Sequence, residues 1–318
     1  MIDNLILGID TSNYTTSAAL LTDRGELVSN IKLPLSVGAG ERGLRQSDAV
    51  FAHIKNLPVA FSILRDVIAD KKIVAVGVSE RPRNINGSYM PCFLSGVSAA
   101  EGISAAAGIP LYRFSHQCGH IMAAVYSSSN LSLLEREFAA CHISGGTTEL
   151  LRINSYTEHS GFCAELLGGT KDLNAGQVID RIGVLMGLGF PAGAELERLA
   201  LSNTQEIPKK KISIDGLRIN LSGLENMAKA LYEKTKDKAL TSAFVLEYVS
   251  NSIIAMSSAY EQQFGKASFV YAGGVMSNSI IKDRIIKSFD ACFAEPKLSS
   301  DNAVGIAYLA YRAHFSKK

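Results

Sequence analysis

The sequence lacks several features that would assign it quickly to a class of protein. No segment approaches the roughly 20 uninterrupted apolar residues of a membrane helix. The first ten residues, MIDNLILGID, combine an acidic residue with a short apolar run, which is typical of a buried strand and not of a signal peptide. With 32 basic and 30 acidic residues, the chain also lacks the positive excess that marks many nucleic-acid-binding domains. We therefore expect a cytoplasmic protein with no membrane association.

Cysteine is scarce, and its spacing forms no recognisable pair. The five cysteines are scattered, and no two of them make a C-x-x-C motif. We expect them to be reduced thiols, most of them in the core. The chain has 318 residues, of which 47% are hydrophobic and 19% charged, and this favours a well-packed protein with room for two domains.

The best-known nucleotide and metalloprotease motifs are also missing. The chain contains neither G-x-x-x-x-G-K-[ST] nor G-x-G-x-x-G, which argues against a P-loop protein and a dinucleotide-binding fold. Three simpler glycine turns follow predicted strands, at residues 144–146, 190–193 and 272–274. Glycine allows backbone N–H groups to approach phosphate oxygens closely, although a turn of this kind more often has only a structural role.

Two segments follow the same pattern of strand, polar turn ending in Thr-Thr, and strand. They are LILGIDTSNYTTSAALLTDRGELVS at 5–29 and FAACHISGGTTELLRINSYT at 138–157. Each is followed by alternating helix and strand patterns, which predict an α/β fold. The repeat indicates two similar lobes with a cleft between them. We place the N-terminal lobe at 1–135 and the C-terminal lobe at 136–318, with the C-terminal helix packing back on the first lobe.

The stretch FSHQCGH places His116 and His120 four residues apart, which puts both side chains on one face of a helix. Imidazole is the commonest metal ligand, and two histidines with one carboxylate form a well-known open site. A zinc protease would carry H-E-x-x-H, but Gln117 stands at the position of the general base. Asp301 precedes the last predicted helix, and the residues alone favour a role as its N-cap.

Six segments in order resemble the tRNA adenosine threonylcarbamoyltransferase family, once described as O-sialoglycoprotein endopeptidases. The resemblance covers nearly the whole chain, and its longest segment, at 168–200, is the most specific. It implies an actin/sugar-kinase-like (ASKHA) fold, with two RNase H-like lobes around a nucleotide cleft. The segments are GIDTSNYTTSAAL, SHQCGH, HISGGTTELL, GGTKDLNAGQVIDRIGVLMGLGFPAGAELERLA, AGGVMSN and SSDNAVGIAY.

The resemblance also implies a reaction and the residues of its site. The reaction is transfer of a threonylcarbamoyl group from threonylcarbamoyl-adenylate to the adenosine next to the anticodon of tRNA, with release of AMP. A divalent metal, iron or zinc, is expected on His116, His120 and Asp301, which replaces the N-cap interpretation of Asp301. No catalytic residue is assigned. The implied contacts of the adenine nucleotide or adenylate are Ile143, Ser144, Gly145, Gly146, Thr147, Asp180, Gly193 and Asn278, and Asp10, Gly273 and Gly274 are further candidates in the cleft.

The expected partners come from the same resemblance. They are tRNA, an enzyme that synthesises the adenylate, and a smaller paralogous subunit, with a dimer formed through the N-terminal lobe. Arg81, Arg83 and the lysines at 209–211 are candidates for contacts to tRNA phosphates. Short basic runs of this kind are more often solvated loops.

The sequence departs from the family at several polar positions. SCDET is replaced at 12–16 without its two acids, SGGHT has Thr147 in place of histidine, and DDAAGEAFDK loses one acid and gains Gln177. T-x-G-P-G is replaced at 79–83. An alternative to an active transferase is therefore a divergent, non-catalytic paralogue that binds nucleotide and metal as a scaffold, or one that acts on another carbamoyl acceptor. A metalloprotease is the third reading, and Gln117 argues against it.

Overall fold

The computed structural model of the chain describes residues 4–12, 14–36, 44–157, 161–299 and 301–315. The strands are β1 (Asn4–Asp10), β2 (Thr15–Thr22), β3 (Leu27–Pro34), β4 (Lys72–Arg81), β5 (Leu111–Ser115), β6 (Phe138–Ile143), β7 (Thr148–Thr157), β8 (Gly161–Thr170), β9 (Ile214–Asp215), β10 (Arg218–Ile219), β11 (Ser268–Ala272) and β12 (Asp290–Phe293). The helices are α1 (Gln46–Ile68), α2 (Phe93–Ala107), α3 (His116–Ser127), α4 (Ala175–Leu185), α5 (Gly193–Leu201), α6 (Ser222–Thr235), α7 (Lys238–Phe264), α8 (Ser279–Ile286), α9 (Pro296–Ser299) and α10 (Val304–Phe315).

The chain forms two compact units, each assembled from separate segments. The first unit contains Met1–Arg136, Asn154–Ala164 and Lys297–Lys318. The second contains Glu137–Ile153 and Glu165–Pro296. The division into lobes at 1–135 and 136–318 remains a prediction from the sequence.

The first unit is built on a five-stranded sheet in the order β3-β2-β1-β4-β5. β1 pairs antiparallel with β2 and parallel with β4, and β5 continues the parallel part. Side chains alternate between the two faces of a strand. Leu5, Leu7 and Ile9 therefore share one face, where they form a buried core with residues of α1 such as Leu57 and Leu64.

On the opposite face of the same strands, two glycines allow the segment of α10 to pack directly on the sheet. A Cβ added to Gly8 would lie 2.6 Å from the carbonyl oxygen of Ala303, and one added to Gly77 would lie 2.7 Å from Ala310 Cβ. A Cβ on Gly305 would collide with the carbonyl oxygen of Gly119 in α3. Because these three positions are glycines, α10 can pack directly against both the sheet and α3. This packing positions the residues just before α10.

The second unit holds a seven-stranded sheet in the order β12-β11-β6-β7-β8-β10-β9. Its core contains Phe269, Tyr271 and the long helix α7. α7 is long and apolar enough to cross a membrane by length and composition, but 72% of its apolar window is buried inside the protein. We therefore describe it as a core helix.

The predicted repeat of strand, turn and strand is confirmed in both units. β1 pairs with β2 up to Asp10 opposite Ser17, and β6 pairs with β7 up to Ile143 opposite Thr148. Each pair is joined by a turn of four residues, 11–14 and 144–147. Asn13 of the first turn lies outside the described residues.

Candidate metal centre and nucleotide site

The two histidines lie in the first turns of α3, on one face of the helix, as their four-residue spacing predicts. Ser115 caps this helix by accepting the N–H of Cys118 at 3.2 Å, so that the helix begins at His116. The Nε2 atoms of His116 and His120 are 2.9 Å apart. His120 is buried, with 5% of its surface exposed. Two nitrogen atoms this close must share either the hydrogen of an N–H···N hydrogen bond or a metal ion.

Asp301 completes this cluster from the segment before α10. Its Oδ1 lies 3.3 Å from His120 Nε2 and 3.6 Å from His116 Nε2. The ligand atoms of the three residues all lie within 4.8 Å of one another. The amide of Val304, at the start of α10, is capped by Asn302 Oδ1 at 3.0 Å. The N-cap role that the residues alone favour for Asp301 is therefore wrong.

Asp10 supports the cluster from the end of β1. Its Oδ2 accepts a hydrogen bond from His116 Nδ1 at 2.7 Å, and its Oδ1 accepts the N–H of Ser12 at 2.7 Å. A carboxylate on Nδ1 fixes the tautomer and directs the Nε2 lone pair of His116 toward the other two residues. Asp10, with 1% of its surface exposed, is thus a supporting residue and not itself a member of the ligand cluster.

The electrostatics of the cluster favour one positive charge held between two carboxylates. Burial favours the neutral form of His116, but attraction and hydrogen bonding to Asp10 and Asp301 outweigh it and raise the pKa of His116 to about 10. Burial and the charge of His116 together lower the pKa of His120. The pKa of both Asp10 and Asp301 is lowered, because the neighbouring histidines outweigh the effect of burial.

These residues fit a divalent cation. Two imidazole nitrogens and one carboxylate oxygen are the donor set that suits zinc or iron, and three protein ligands leave coordination positions for a substrate. The proton between the two Nε2 atoms can be exchanged for such a cation while Asp10 continues to hold Nδ1–H. The hydrogen bond from a ligand histidine to a carboxylate is the usual support in such sites.

The glycine turn of the second unit lies between β6 and β7. Ser144 N–H donates to the carbonyl of Thr147 at 2.7 Å, and Gly146 N–H donates to Ser144 Oγ at 3.3 Å. A Cβ added to Gly145 or Gly146 would meet no atom within 4 Å, so the turn faces open space there. Gly273, with a φ of +98°, packs so closely on Ile143 that any Cβ would collide with the Ile143 carbonyl. The two predicted glycine turns therefore meet at the ends of β6 and β11.

The N-terminus of α4 lies against the same turn. Gly176 N–H donates to the Ser144 carbonyl at 3.2 Å, and a Cβ on Gly176 would lie 2.6 Å from Gly145 N. Asp180 follows four residues later on the same face of α4. It accepts the N–H of Ala192 at 2.8 Å, which places it beside Gly193 at the start of α5. Burial raises the pKa of Asp180, and the hydrogen bond from Ala192 opposes this.

Asn278 has a structural role that the sequence did not indicate. It is the N-cap of α8, where its Oδ1 accepts the N–H of Ile281 at 3.1 Å. Only 7% of its surface is exposed. Gly274 opens a short 3-10 turn, Gly274–Ser277, that leads into this cap. A ligand contact by Asn278 would therefore use the side-chain nitrogen.

One departure from the family pattern, Gln177, and one acid that matches the pattern, Asp172, are both part of the local structure. Gln177 completes a capping box with Asn174 at the start of α4. Its Oε1 accepts the N–H of Asn174 at 3.1 Å and so stabilises the first turn of the helix. Asp172 accepts the N–H groups of Leu221 and Ser222 and thereby holds the start of α6. Burial opposes its charge, but these hydrogen bonds outweigh burial and lower the pKa of Asp172 to about 2.

Sequence reasoning did not single out Gly176 or Lys32. Gly176 is visible in the sequence as a glycine in the first turn of a predicted helix. The structure explains this glycine, because a side chain there would collide with the backbone of Gly145. Lys32 carries no local signal, because its relation to the site depends on strand register. Its Nζ donates to the carbonyl of Lys297 at 3.4 Å, close to Asp301. Burial lowers the pKa of Lys32, and the charge of Asp301 opposes this.

The predicted basic residues lie in two different environments. Arg81 is engaged with Glu80 at 2.8 Å and with Asn84 Oδ1 at 2.8 Å. The lysines at 209–211 are exposed and lie outside regular secondary structure. Of the two groups, only this second one is an exposed run of like charge.

Comparison with solved structures gives the class of the fold. The chain is similar to HypF from T. kodakarensis, with a TM-score of 0.62 at 13% identity over 99% of this chain and 48% of that one. It thus spans about half the length of HypF. It is also similar to component A of the (R)-2-hydroxyglutaryl-CoA dehydratase of Acidaminococcus fermentans, with a TM-score of 0.55 at 14% identity over 99% and 100% of the two chains. The predicted actin/sugar-kinase-like α/β fold is confirmed.

Comparison with sequences gives the family. The family model described as TsaD, tRNA N6-adenosine threonylcarbamoyltransferase, matches residues 40–308. A protein of that name from Streptococcus suis is 28% identical over 333 residues, which covers 100% of this chain and 94% of the relative. The Streptococcus mutans protein is 28% identical over 338 residues, covering 100% and 96%. The chain therefore belongs to the TsaD family, a family of transferases that modify tRNA, as the resemblance predicts.

Proposed function

We propose that this chain is an active, metal-dependent threonylcarbamoyltransferase that uses threonylcarbamoyl-adenylate as donor and the adenosine next to the tRNA anticodon as acceptor. Membership of the family supports the reaction class. The observation that carries metal dependence is the cluster of His116, His120 and Asp301, whose ligand atoms lie within 4.8 Å of one another. A bound divalent cation would supply Lewis-acid polarisation of the carbamoyl carbonyl.

The residues of the first unit have three roles in this proposal. His116 and His120 present two nitrogen ligands from one helix, and Asp301 presents an oxygen. Asp10 holds His116 in the tautomer that keeps Nε2 available. Gln117, in the position of a protease base, donates its backbone N–H to the carbonyl of Pro82 at 3.0 Å. An already activated carbonyl needs no water nucleophile, so the absence of a glutamate there agrees with group transfer.

The residues of the second unit would bind the nucleotide part of the donor. The open turn at Gly145 and Gly146 allows a phosphate to approach the backbone N–H groups, and the N-terminus of α4 adds a favourable dipole. Asp180 retains one carboxylate oxygen beyond its bond to Ala192, suited to a ribose hydroxyl. Two structures similar in fold, HypF and a dehydratase activator from Clostridium difficile, were solved with bound nucleotide or ADPNP, which supports this assignment.

The proposal includes partners. A separate enzyme would supply the adenylate in a cytoplasmic setting, and the exposed lysines at 209–211 would contact tRNA phosphates. We further propose that the first unit associates through α1 with a second copy or a smaller paralogous subunit. The support is a set of apolar side chains exposed by 64, 56, 50 and 43% along this helix: Phe51, Ile54, Val59 and Ile63.

Complementation tests the proposed function directly. A bacterial strain depleted of its own transferase is supplied with this chain, and the modified adenosine is quantified in digested tRNA by mass spectrometry. We expect the modified nucleoside with the wild-type chain and a loss of at least about 100-fold with His116→Ala together with His120→Ala. Soluble chain without any modified nucleoside, with the host's other subunits present, would favour the alternative of a non-catalytic scaffold.

A further inference from the structure

A row of polar side chains crosses the sheet of the first unit below the metal centre. Asp10 in β1 lies opposite Ser17 in β2, and Ser17 lies opposite Lys32 in β3. Residues directly opposite each other on antiparallel strands point to the same face of the sheet. Asp10, Ser17 and Lys32 therefore form one row, called here the polar row.

The polar row lies on the face that carries α10. Gly8, two residues before Asp10, is on the same face of β1, and the backbone of α10 packs directly on it at Ala307. One end of the polar row contacts the metal centre, because Asp10 binds His116 Nδ1 at 2.7 Å. The row is consequently placed beneath the segment from which Asp301 projects.

The other end of the polar row contacts that segment. Lys32 Nζ donates to the carbonyl of Lys297 in α9 at 3.4 Å, four residues before Asp301. The Lys32 ammonium also interacts electrostatically with the Asp301 carboxylate. Asn302 binds the carbonyl of Leu298 at 2.7 Å and so ties the same segment to α9. Lys32 thereby connects the edge strand β3 to α9, the helix that precedes the third ligand, Asp301.

We propose that Lys32 is a positioning residue of the metal centre, which holds α9 and the charge of Asp301 in place so that the carboxylate faces the two histidines. This proposal rests on the metal centre proposed above. It predicts an effect opposite in sign to that of simple electrostatics. A positive charge near a divalent cation weakens cation binding by repulsion, so removal of the charge alone would tighten binding. Loss of a positioning contact would weaken it.

The test is Co²⁺ binding by the metal-stripped full chain, followed by visible absorption, which reports both affinity and coordination geometry. We expect Lys32→Met to bind Co²⁺ about tenfold more weakly than wild type and to show altered absorption bands. Lys32→Arg, which keeps the charge and the donor, is expected to restore the wild-type spectrum. Lys72→Met is the matched control, because it removes an exposed lysine from β4 of the same sheet, where Lys72 pairs with Asn4 at the opposite end.

A double-mutant cycle then shows whether Lys32 acts through Asp301. In an Asp301→Asn chain we expect Lys32→Met to cause no further loss of affinity, since residues that act as one unit are not additive. Thermal unfolding verifies that each variant folds. If Lys32→Met does not fold, Lys32→Leu, which also removes both the donor and the charge, carries the same expectation of weaker binding.

Each remaining outcome overturns a distinct statement. Equal or tighter Co²⁺ binding by Lys32→Met overturns the positioning role alone, and so does a loss that adds fully to that of Asp301→Asn. Failure of the wild-type chain to bind Co²⁺ overturns the metal centre and the role of Lys32 with it.

Discussion

At the scale of single residues, the metal centre depends on how a few buried polar groups are paired. His116 is held between Asp10 and Asp301, so its charge is compensated on both sides. His53 is the contrasting case. Its Nδ1 is paired with Thr16 Oγ1 at 2.8 Å, and its Nε2 is buried with no hydrogen-bond partner among the described residues. The pKa of His116 is therefore raised, whereas the pKa of His53 is lowered.

The stability of the protein should fall in acid because of His53. Burial lowers its pKa from 6.5 to about 4, against the attraction of Asp10 and Asp301. The unfolded chain therefore binds the proton more readily, and the contribution of His53 is complete above pH 6.5 and is lost as the pH falls to about 4. Between pH 7.5 and 4.5, urea unfolding should show wild type losing about 2–3 kcal/mol more than His53→Gln. Parallel losses in the two proteins would contradict this reading of His53.

Asp10 should control metal affinity although it is not a ligand. Asp10→Asn keeps a hydrogen-bond acceptor for His116 Nδ1 but removes the negative charge that supports the imidazole as a ligand. We expect Zn²⁺ affinity, measured by competition with a chromophoric chelator, to fall by about tenfold or more. Asp66→Asn serves as a control because the side chain of Asp66 is 86% exposed. An unchanged affinity in Asp10→Asn would mean that Asp10 does not support the centre.

At the scale of elements, the ligands are placed by a close contact between two helices and a sheet. α3 supplies both histidines and α10 follows Asp301, and the two helices touch where Gly305 faces Gly119. The sequence indicated the helical histidine pair by its spacing and the ASKHA fold by resemblance. It could not indicate the polar row, because Asp10, Ser17 and Lys32 are brought into line only by the register of three strands.

Gly305→Ala should disturb both the fold and the metal centre. The new methyl group would collide with the carbonyl of Gly119 and force α10 away from α3. We expect a loss of about 1–3 kcal/mol in the free energy of unfolding, and weaker Co²⁺ binding. Gly102→Ala in α2 is the control. Its Cβ meets no atom within 4 Å, so this change should be neutral or stabilise the chain by up to about 1 kcal/mol. Equal stability of the two variants would contradict the packing argument.

At the scale of the whole molecule, the family assignment and the site departures have to be reconciled. The change at Gln177 is accommodated by the capping box at the start of α4. The ligand atoms of His116, His120 and Asp301 lie within 4.8 Å of one another, and the glycine turn faces open space. The family and its reaction class could be recognised from motifs in the sequence, whereas the structural role of Asp172 could not, because its partners Leu221 and Ser222 are distant along the chain.

Association through α1 should be visible as a change in mass. Light scattering after gel filtration at tens of micromolar should give wild type a mass above the 34.1 kDa of one chain. Ile54→Asp places a charge in the exposed apolar set of α1 and should return the mass to that of one chain. Leu166→Asp, at another exposed apolar position, should leave the mass unchanged. A wild-type chain that is already monomeric would contradict self-association and leave a paralogous subunit as the partner to be tested.

The central claim is that this chain transfers a threonylcarbamoyl group and needs its metal centre to do so. The most direct measurement uses purified chain, preformed threonylcarbamoyl-adenylate and unmodified tRNA, with the modified nucleoside and AMP quantified together. We expect equal amounts of both products with wild type, their loss after removal of the metal, and their recovery when zinc or iron is returned. We also expect a loss of at least about 100-fold for Asp301→Asn. Product formation that is unaffected by metal removal and by Asp301→Asn would contradict the central claim.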